Sequence, residues 1–327
     1  MLGVSLAREK NAMSTTTTPP TTEPAPEAAV RLVQGVEIED TFAEAFGMTA
    51  ARLIITAQSP TWAMIAAQAA TGYATSVIGC DAEAGLEREL SPQETPDGRP
   101  GVSLLVFAFS RDALQKAVVN RVAQCVLTCA TTACYNGLPI DPARSIKVGG
   151  ALRYFGDGWQ VSKYLDGKRY WRVPTMDGEF LCEETFGTVK GVAGGNFLIL
   201  GRSQEAALAA AEAAVQAIRR VPEVILPFPG GIVRSGSKVG SKYKALKAST
   251  NDAYCPTLRG GVASRLPEGV NAVYEIVIDG LSLAAVEEAM RVGITAACQP
   301  GVVRISAGNY GGKLGPYPIP LLRLFPA

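Results

Sequence analysis

One sequence unit occurs four times in this chain and restricts the folds that it can form. Each copy runs from an apolar, β-branched stretch through a serine into about a dozen residues of helical periodicity, and then into a second strand-like stretch. The serines are Ser59, Ser110, Ser203 and Ser282. Serine caps a helix because its hydroxyl accepts a hydrogen bond from a free backbone N–H of the first turn. The sequence therefore predicts four strand–helix–strand units.

The periodicity of each helix also predicts the face that is buried. In chain order, the predicted inward residues are Trp62, Ile65, Ala69 and Tyr73; Leu114, Val118, Val122 and Cys125 or Val126; Leu208, Ala211, Val215 and Ile218; and Val286, Ala289 and Ile294. A strand and a helix that each bury one face need a common core, so the units should pack in layers.

The four units fall into two pairs, separated by residues 151–197, where Gly-Asp-Gly and Asp-Gly turns divide aromatic and β-branched runs like a β-meander. We predict an α+β fold of two ferredoxin-like (split βαβ) lobes with a β-rich insertion. The predicted domains are an N-terminal lobe at 35–150 and a C-terminal lobe with the meander at 151–327. A Thr/Pro-rich tail at 1–34 is predicted to be disordered.

Charge, histidine and cysteine content exclude several classes of protein. The net charge of +1 gives no general affinity for nucleic acid or an anionic membrane, and no apolar run has the 18 residues of a membrane span. Cytoplasmic localisation is expected. With 0 histidines, Ser-His-Asp and Cys-His catalysis and histidine-bound zinc are excluded. The 7 cysteines match no metal-binding spacing and are expected to be small core residues.

Two similar segments rich in glycine and basic residues are candidates for anion binding. The first, at 227–242, reads PFPGGIVRSGSKVGSK and the second, at 300–315, reads PGVVRISAGNYGGKLG; we call them the glycine loops. The first has the glycine spacing of a P-loop, but Ser precedes Lys where that motif needs Lys before Ser or Thr. Their Arg234, Lys238, Arg304 and Lys313 could contact a ligand, or could be solvated beside a tight strand return.

Three further stretches carry polar groups whose role stays open. The segment 36–46 holds Glu37, Glu39, Asp40 and Glu44 and is either functional or a solvated charged run. The segment 246–257 reads LKASTNDAYCPT and suits either a polar ligand or turn formation. Glu275 alternates with valines in a strand: if that face is covered, burial raises the pKa of its carboxyl, and otherwise it protects an exposed edge.

Several long motifs of the sequence resemble one known family. GVEIEDTFAEAF, ATGYATSVIGCDAEAG, ETPDGRPGV, GVAGGNF, STNDAYCPT, YEIVI and both glycine loops are similar to formylmethanofuran:tetrahydromethanopterin formyltransferases over residues 35–315. The resemblance implies a formyl transfer between the amine of methanofuran (or methylofuran) and N5 of tetrahydromethanopterin. It implies these two carriers as substrates, no metal, no permanently bound cofactor, and a homotetramer.

The resemblance also implies roles for individual residues. The family's catalytic carboxylate corresponds to Glu275, and the motifs around it lead us to expect substrate contacts from Arg234, Ser237, Lys238, Asn251, Asp252, Asn309 and Lys313. The basic residues would face the glutamyl carboxylates of methanofuran.

The tail and the C-terminal PYPIPLLRLFPA depart from the archaeal pattern and indicate the bacterial branch, in which such a protein works with formyltransferase/hydrolase subunits. An inactive scaffold subunit and a P-loop-like nucleotide enzyme are the alternatives.

Overall fold

The computed structural model describes residues 30–236 and 238–325, and the chain there begins with a hairpin. Strand β1 (Val30–Val33) pairs antiparallel with β2 (Val36–Glu39). Gln34 and Gly35, between them, have φ values of 50° and 82°. Two residues of positive φ form the turn that suits a right-handed β-ribbon. The predicted tail at 1–34 is therefore wrong for residues 30–34, and its remainder, 1–29, lies outside the described residues.

The first pair of predicted units forms one antiparallel sheet with helices on one face. Its elements are β3 (Phe42–Thr56), α1 (Pro60–Thr71), β4 (Glu83–Leu90), β5 (Gly101–Ala108), α2 (Arg111–Arg121) with a π-helical turn at Val122–Val126, and β6 (Ala133–Asn136). The strands lie in the order β6-β3-β5-β4. We call this part of the chain the first lobe.

The meander predicted between the pairs is confirmed, but it belongs to the edge of the first lobe. The elements are β7 (Ile146–Lys147), α3 (Gly149–Leu152), β8 (Val161–Leu165), β9 (Lys168–Thr175), β10 (Gly178–Glu183) and β11 (Thr185–Phe186). Strand β10 pairs parallel with β6, so backbone hydrogen bonds extend the first sheet through β9 to β8. These hydrogen bonds join the meander to the first lobe, whereas the predicted bounds place it with the second. The domain bounds of 35–150 and 151–327 stay a prediction.

The second pair of units repeats the arrangement of the first. Its elements are β12 (Val189–Gly201), α4 (Gln204–Ile218), β13 (Val224–Ile225), β14 (Lys238–Val239), β15 (Ala248–Ser249), β16 (Ala272–Gly280), α5 (Leu283–Ala297), β17 (Val302–Ser306) and β18 (Tyr317–Pro320). The order of the main strands is β17-β12-β16-β13, all antiparallel. We call this part the second lobe.

The two lobes share one sheet because β3 and β12 are long enough to pair with each other as well as with their own neighbours. Phe46–Ala50 of β3 lies antiparallel to Val189–Ala193 of β12. Within the described residues, 14 strands are thereby connected, and each lobe keeps its own apolar core between sheet and helices. The α+β class is confirmed. None of the helices in this part of the chain combines the length and the apolar character that a membrane span needs.

All four predicted serine caps are confirmed. The hydroxyls of Ser59, Ser110, Ser203 and Ser282 each accept a hydrogen bond from the backbone N–H three residues later. The cap fixes where each helix starts, so the prediction needed only local sequence.

The buried faces were predicted well for α2 and α5, and less well elsewhere. In α4 the face is buried except for Leu208, which is half-buried. In α1 the prediction was wrong: Ala63, Ala66, Ala67 and Ala70 face the sheet, while Trp62 and Tyr73 are 41% and 79% exposed. Alanines let this helix lie close to the strands, and large side chains on that face would hold it away.

A glycine contact of β12 gives a test of this close packing. A Cβ atom on Gly195 would collide with Cγ1 of Val286 on α5. We expect Gly195→Ala to lower the free energy of unfolding by about 1–3 kcal/mol, since an added methyl must displace the helix. Chemical denaturation measures this. Gly260→Ala is the control, because nothing lies within 4 Å of its added Cβ. Equal stability of the two variants would contradict the packing argument.

Candidate active site

A cavity of about 660 Å³ lies at the junction of the lobes. Its walls are mostly apolar and include Phe46, Phe109, Phe228, Val277 and Leu314. Three carboxyl groups interrupt these walls, those of Glu44, Glu83 and Glu275. The cavity lies where β3 and β12 pass from one lobe to the other, so its shape depends on both lobes.

Glu275 is buried. This agrees with the interpretation in which its face of the strand is covered by the rest of the protein. It lies in β16 between Leu198 of β12 on one side and Val233 on the other, so its strand is internal. The residue is 3% exposed. Its neighbours Ile276 and Ile278 face the helices of the second lobe, whereas Glu275 and Val277 line the cavity. The predicted alternation is therefore confirmed, and the edge-strand interpretation is wrong.

Glu44 holds the loop at 308–316, which contains most of the second glycine loop's polar residues. Its carboxylate accepts hydrogen bonds from four backbone N–H groups, of Tyr310, Gly312, Leu314 and Gly315. Burial opposes its charge, but the four donors outweigh burial and hold the pKa of Glu44 below its usual value. The residue is only 2% exposed. This part of the acidic segment at 36–46 is therefore not a solvated run.

The two glycine loops meet at Tyr310. Its hydroxyl oxygen accepts a hydrogen bond of 3.2 Å from the backbone N–H of Val239 in the first loop. Burial, followed by the negative charges of Glu275 and Glu44, raises the pKa of Tyr310, against the effect of the Val239 N–H. A neutral phenol and the Glu275 carboxyl thus line the same cavity.

Two asparagines fix the start of the 308–316 loop. Asn196 of β12 accepts from the N–H of Gly308 at 2.6 Å and donates to its carbonyl at 3.1 Å. Asn309 was expected to bind substrate. Its amide nitrogen instead donates to the Thr41 hydroxyl and the Phe42 carbonyl at 3.1 and 3.2 Å, so in this structure it joins the loop to β3.

The other expected binding residues within the described chain differ in the contacts that they make. Lys238 forms an ion pair of 2.6 Å with Asp252, so these two residues satisfy each other. That lysine lowers the pKa of Asp252. Arg234 is exposed and, with Asn251, lines a small crevice that reaches Glu275. Lys313 is exposed on the 308–316 loop. Ser237 lies outside the described residues.

The first glycine loop does not continue as a P-loop does. A P-loop leads into a helix whose N-terminus faces the phosphates. Here a short 3-10 turn at Pro229–Gly231 leads to Val233, paired with Glu275, and then to β14, which pairs with β15. A strand takes the place of the helix, so the described part of this segment has no helix N-terminus to hold a phosphate.

A second cavity, of about 500 Å³, adjoins the first. Both are lined by Ser76, Ile78, Phe228 and Lys247. The second also has Lys238 and Gly236 in its wall, and Gly236 lines the crevice that reaches Glu275 as well. Two ligands could thus approach one buried carboxyl from two sides.

Comparisons with known proteins identify the family. Family models of formylmethanofuran-tetrahydromethanopterin formyltransferase and of its proximal lobe match residues 32–175 and 178–324. An enzyme of that name from Methylococcus capsulatus is 61% identical over 290 residues, which cover 88% of this chain and 97% of the relative. The chain belongs to this formyltransferase family.

Two solved structures of formyltransferases resemble the chain throughout. The formyltransferase/hydrolase complex from Methylorubrum extorquens, with methylofuran, matches with a TM-score of 0.88 and 53% identity, covering 91% of this chain and 99% of that one. The formyltransferase from Methanosarcina barkeri matches with 0.86 and 52%, covering 90% and 100%. The resemblance inferred from the sequence motifs is confirmed.

Four residues that line the cavity were not among the expected catalytic and binding residues: Glu44, Glu83, Asn196 and Tyr310. Each lies in a motif that carried the resemblance, but a motif does not tell which of its residues reach a cavity. The signal for Glu44 was its separation from Phe42 and Phe46 by one residue each, which places it on their face of the strand.

Removal of the Glu44 charge tests its role. In Glu44→Gln the amide nitrogen would face N–H donors, so we expect the free energy of unfolding to fall by about 2–3 kcal/mol at neutral pH. Because the folded pKa of Glu44 is lowered, its contribution is present above the usual carboxyl pKa and is lost as the pH falls through the folded value. Urea denaturation at several pH values measures both effects.

The control for this variant is Asp40→Asn, an exposed carboxyl in the same segment. We expect it to change stability by no more than about 0.5 kcal/mol. A Glu44→Gln protein as stable as this control, with an unchanged pH profile, would show that Glu44 does not hold the loop.

Proposed function

We propose that this chain transfers a formyl group between the amine of a methanofuran-type carrier and N5 of tetrahydromethanopterin. One observation carries the proposal: the buried Glu275 carboxyl faces the main cavity and a crevice that leads to the adjoining one. The names of the relatives supply the two carriers. Neither carrier is held permanently, and both act as substrates.

The reaction needs proton transfers that Glu275 can supply. The acceptor nitrogen attacks the formyl carbon of the donor amide and forms a tetrahedral intermediate. The carbon–nitrogen bond to the donor then breaks, the acceptor nitrogen loses a proton, and the leaving amine gains one. A carboxyl in an apolar cavity can take the first proton and return the second, so no net proton is consumed.

The neighbours of Glu275 stabilise the charge that develops in this reaction. The Tyr310 phenol lies in the same wall and its raised pKa keeps it a hydrogen-bond donor for the oxyanion. The surrounding apolar side chains exclude water, which strengthens such a bond and protects the formyl group from hydrolysis. Much of the rate enhancement should come from holding two large carriers together.

Basic residues around the two cavities suit an anionic carrier. Arg234 and Lys313 are exposed, and Lys247 lines both cavities. Together with Lys238 they would bind the glutamyl carboxylates of a methanofuran-type molecule, while Asn251 and Asp252 hold the first glycine loop in place.

The strand order supports ferredoxin-like lobes as the finer description of the fold. Each lobe has the chain order βαββαβ and places its fourth strand beside the first, followed by the third and the second. We propose that both lobes are of this type.

We further propose that the chain works in the cytoplasm as a homotetramer or with other subunits. The relative from Methylorubrum extorquens is part of a formyltransferase/hydrolase complex. In this chain the meander carries exposed aromatic side chains, of which Trp159 is 81% exposed and Tyr154 68%. Exposed aromatic clusters of this kind are typical of protein interfaces.

Glu275→Gln tests the catalytic assignment. The amide keeps the shape and a hydrogen bond but cannot exchange a proton, so we expect kcat to fall by about 10²–10⁴-fold with little change in either KM. Formyl transfer between purified carriers is the assay. Glu268→Gln, an exposed carboxyl of the same lobe, is the control. Near wild-type turnover by Glu275→Gln would refute the assignment, and an inactive wild type would favour a scaffold subunit.

Arg234→Ala and Lys313→Ala test the clamp. We expect each to raise the KM of the methanofuran-type carrier about tenfold at low salt, with kcat nearly unchanged, because the lost contact is a charge pair. The difference from wild type should shrink as salt screens the charges. Lys116→Ala in the first lobe controls for net charge. An equal effect of all three variants would argue for long-range attraction instead of a contact.

A further inference from the structure

Two neighbouring carboxyl groups lie at the cavity wall, away from Glu275. The formyl transfer described above does not use them. Glu83, from β4 of the first lobe, lines the cavity and is 4% exposed. Asp279, from β16 of the second lobe, lies behind it and is fully buried. The two carboxyl groups are neighbours, since burial and then the adjacent Glu83 raise the pKa of Asp279. We call them the carboxyl pair.

The carboxyl pair must hold one proton. Glu83 accepts a hydrogen bond from the Val77 N–H at 3.0 Å, and Asp279 accepts one from the Gly194 N–H at 3.1 Å. The other oxygen of Asp279, Oδ2, is buried and has no N–H or hydroxyl donor within the described residues. Two adjacent buried carboxylates cannot both be ionised, and a proton between them gives Oδ2 its partner.

The proton belongs on Asp279. This residue is the more deeply buried of the two, and burial together with the nearby Glu83 raises the pKa of Asp279 well above its usual value. Burial raises the pKa of Glu83 as well, but Glu83 lies closer to the cavity, and the N–H of Val77 and the neighbouring Asp279 act against that rise. The pair therefore has one charged carboxylate, that of Glu83, at the cavity. The neutral carboxyl group of Asp279 holds it in place.

The Glu83 carboxylate lacks a cation of its own. Across residues 30–236 and 238–325, no lysine or arginine forms a salt bridge with either member of the pair. Around it the cavity is apolar and partly aromatic, with Val77, Phe46 and Phe109 in its walls. A buried carboxylate facing an apolar cavity suits a ligand that brings N–H donors on a flat, weakly polar body.

We infer that Glu83, held by Asp279, binds the edge of the pterin ring that carries N3–H and the 2-amino group. This inference rests on the proposed function. Of the two carriers, only the pterin has two adjacent N–H donors on a flat ring, which match the two oxygens of one carboxylate. The furan ring has no N–H donor.

The strand geometry agrees with this orientation of the pterin. Glu275 and Asp279 lie on the same face of β16, four residues apart, which corresponds to about 13 Å along the strand. Val277 lies between them and lines the same cavity. With its amino edge at Glu83, the pterin turns its second ring, which carries the reacting N5, toward Glu275.

Two matched variants test the inference. Glu83→Gln puts an amide N–H against the pterin donors, so we expect the KM and the dissociation constant of tetrahydromethanopterin to rise at least about tenfold. The KM of the furan carrier should stay within about twofold of wild type. Asp279→Asn keeps an acceptor for Gly194 and a donor for Glu83, so it should bind the pterin within about threefold of wild type.

Binding is measured by the fluorescence of the pterin carrier without turnover, and the stability of each variant by thermal unfolding. If Glu83→Gln fails to fold, the same test is made on the wild type with a carrier that lacks the 2-amino group, whose affinity should fall about tenfold. The inference is overturned if Glu83→Gln binds tetrahydromethanopterin normally, if both carriers lose affinity equally, or if Asp279→Asn is as defective as Glu83→Gln. A wild type that binds the pterin through Glu83 but transfers no formyl group would refute the proposed function alone.

Discussion

The antiparallel pairing of β3 with β12 is the contact on which the rest of the structure depends. Each strand forms the centre of one lobe and then continues to pair with the other. This pairing joins the sheets of the two lobes, and a small apolar cluster that includes Phe107 of the first lobe and Ile225 of the second packs beside it. Because the cavity lies where the strands cross over, Glu44 and Asn196 come within reach of the same 308–316 loop. The site is thus a product of strand length as much as of residue type.

The buried carboxyl groups of the site are stabilised in two different ways. This difference indicates which of them serves the structure and which can bind a ligand. Glu44 is surrounded by backbone N–H groups, so it remains ionised and serves the structure. Glu83 and Asp279 have one N–H each and meet each other, so the pair retains a proton. A group that is fully satisfied by backbone donors has little capacity for a ligand, whereas a group with an open side can bind one.

The sequence correctly predicted those features of the fold that depend on interactions between residues close in the chain. The serine caps, the Asp166-Gly167 hairpin turn and the alternation around Glu275 each involve residues close in the chain, and all three were confirmed. The buried face of α1 was wrong because alanine gives a weak hydrophobic signal and yet packs closest. The β1 strand was missed because its partner turn, Gln34-Gly35, lay at the assumed end of the tail.

The roles of several site residues could not be predicted because they depend on contacts between residues far apart in the chain. Glu44 meets its loop across some 270 positions, and Glu83 meets Asp279 across the two lobes. The local sequence places Glu44 on the face of its strand that carries Phe42 and Phe46, but it does not show which groups either glutamate meets there. The same holds for Lys238, whose charge suggested a ligand contact but is shared with Asp252. A lysine already paired in the free protein must exchange its partner to bind an anion, and this lowers the affinity that its charge alone would suggest. Arg234 and Lys313 are exposed and form no ion pair with another described residue, so the carrier's carboxylates should depend on them more than on Lys238.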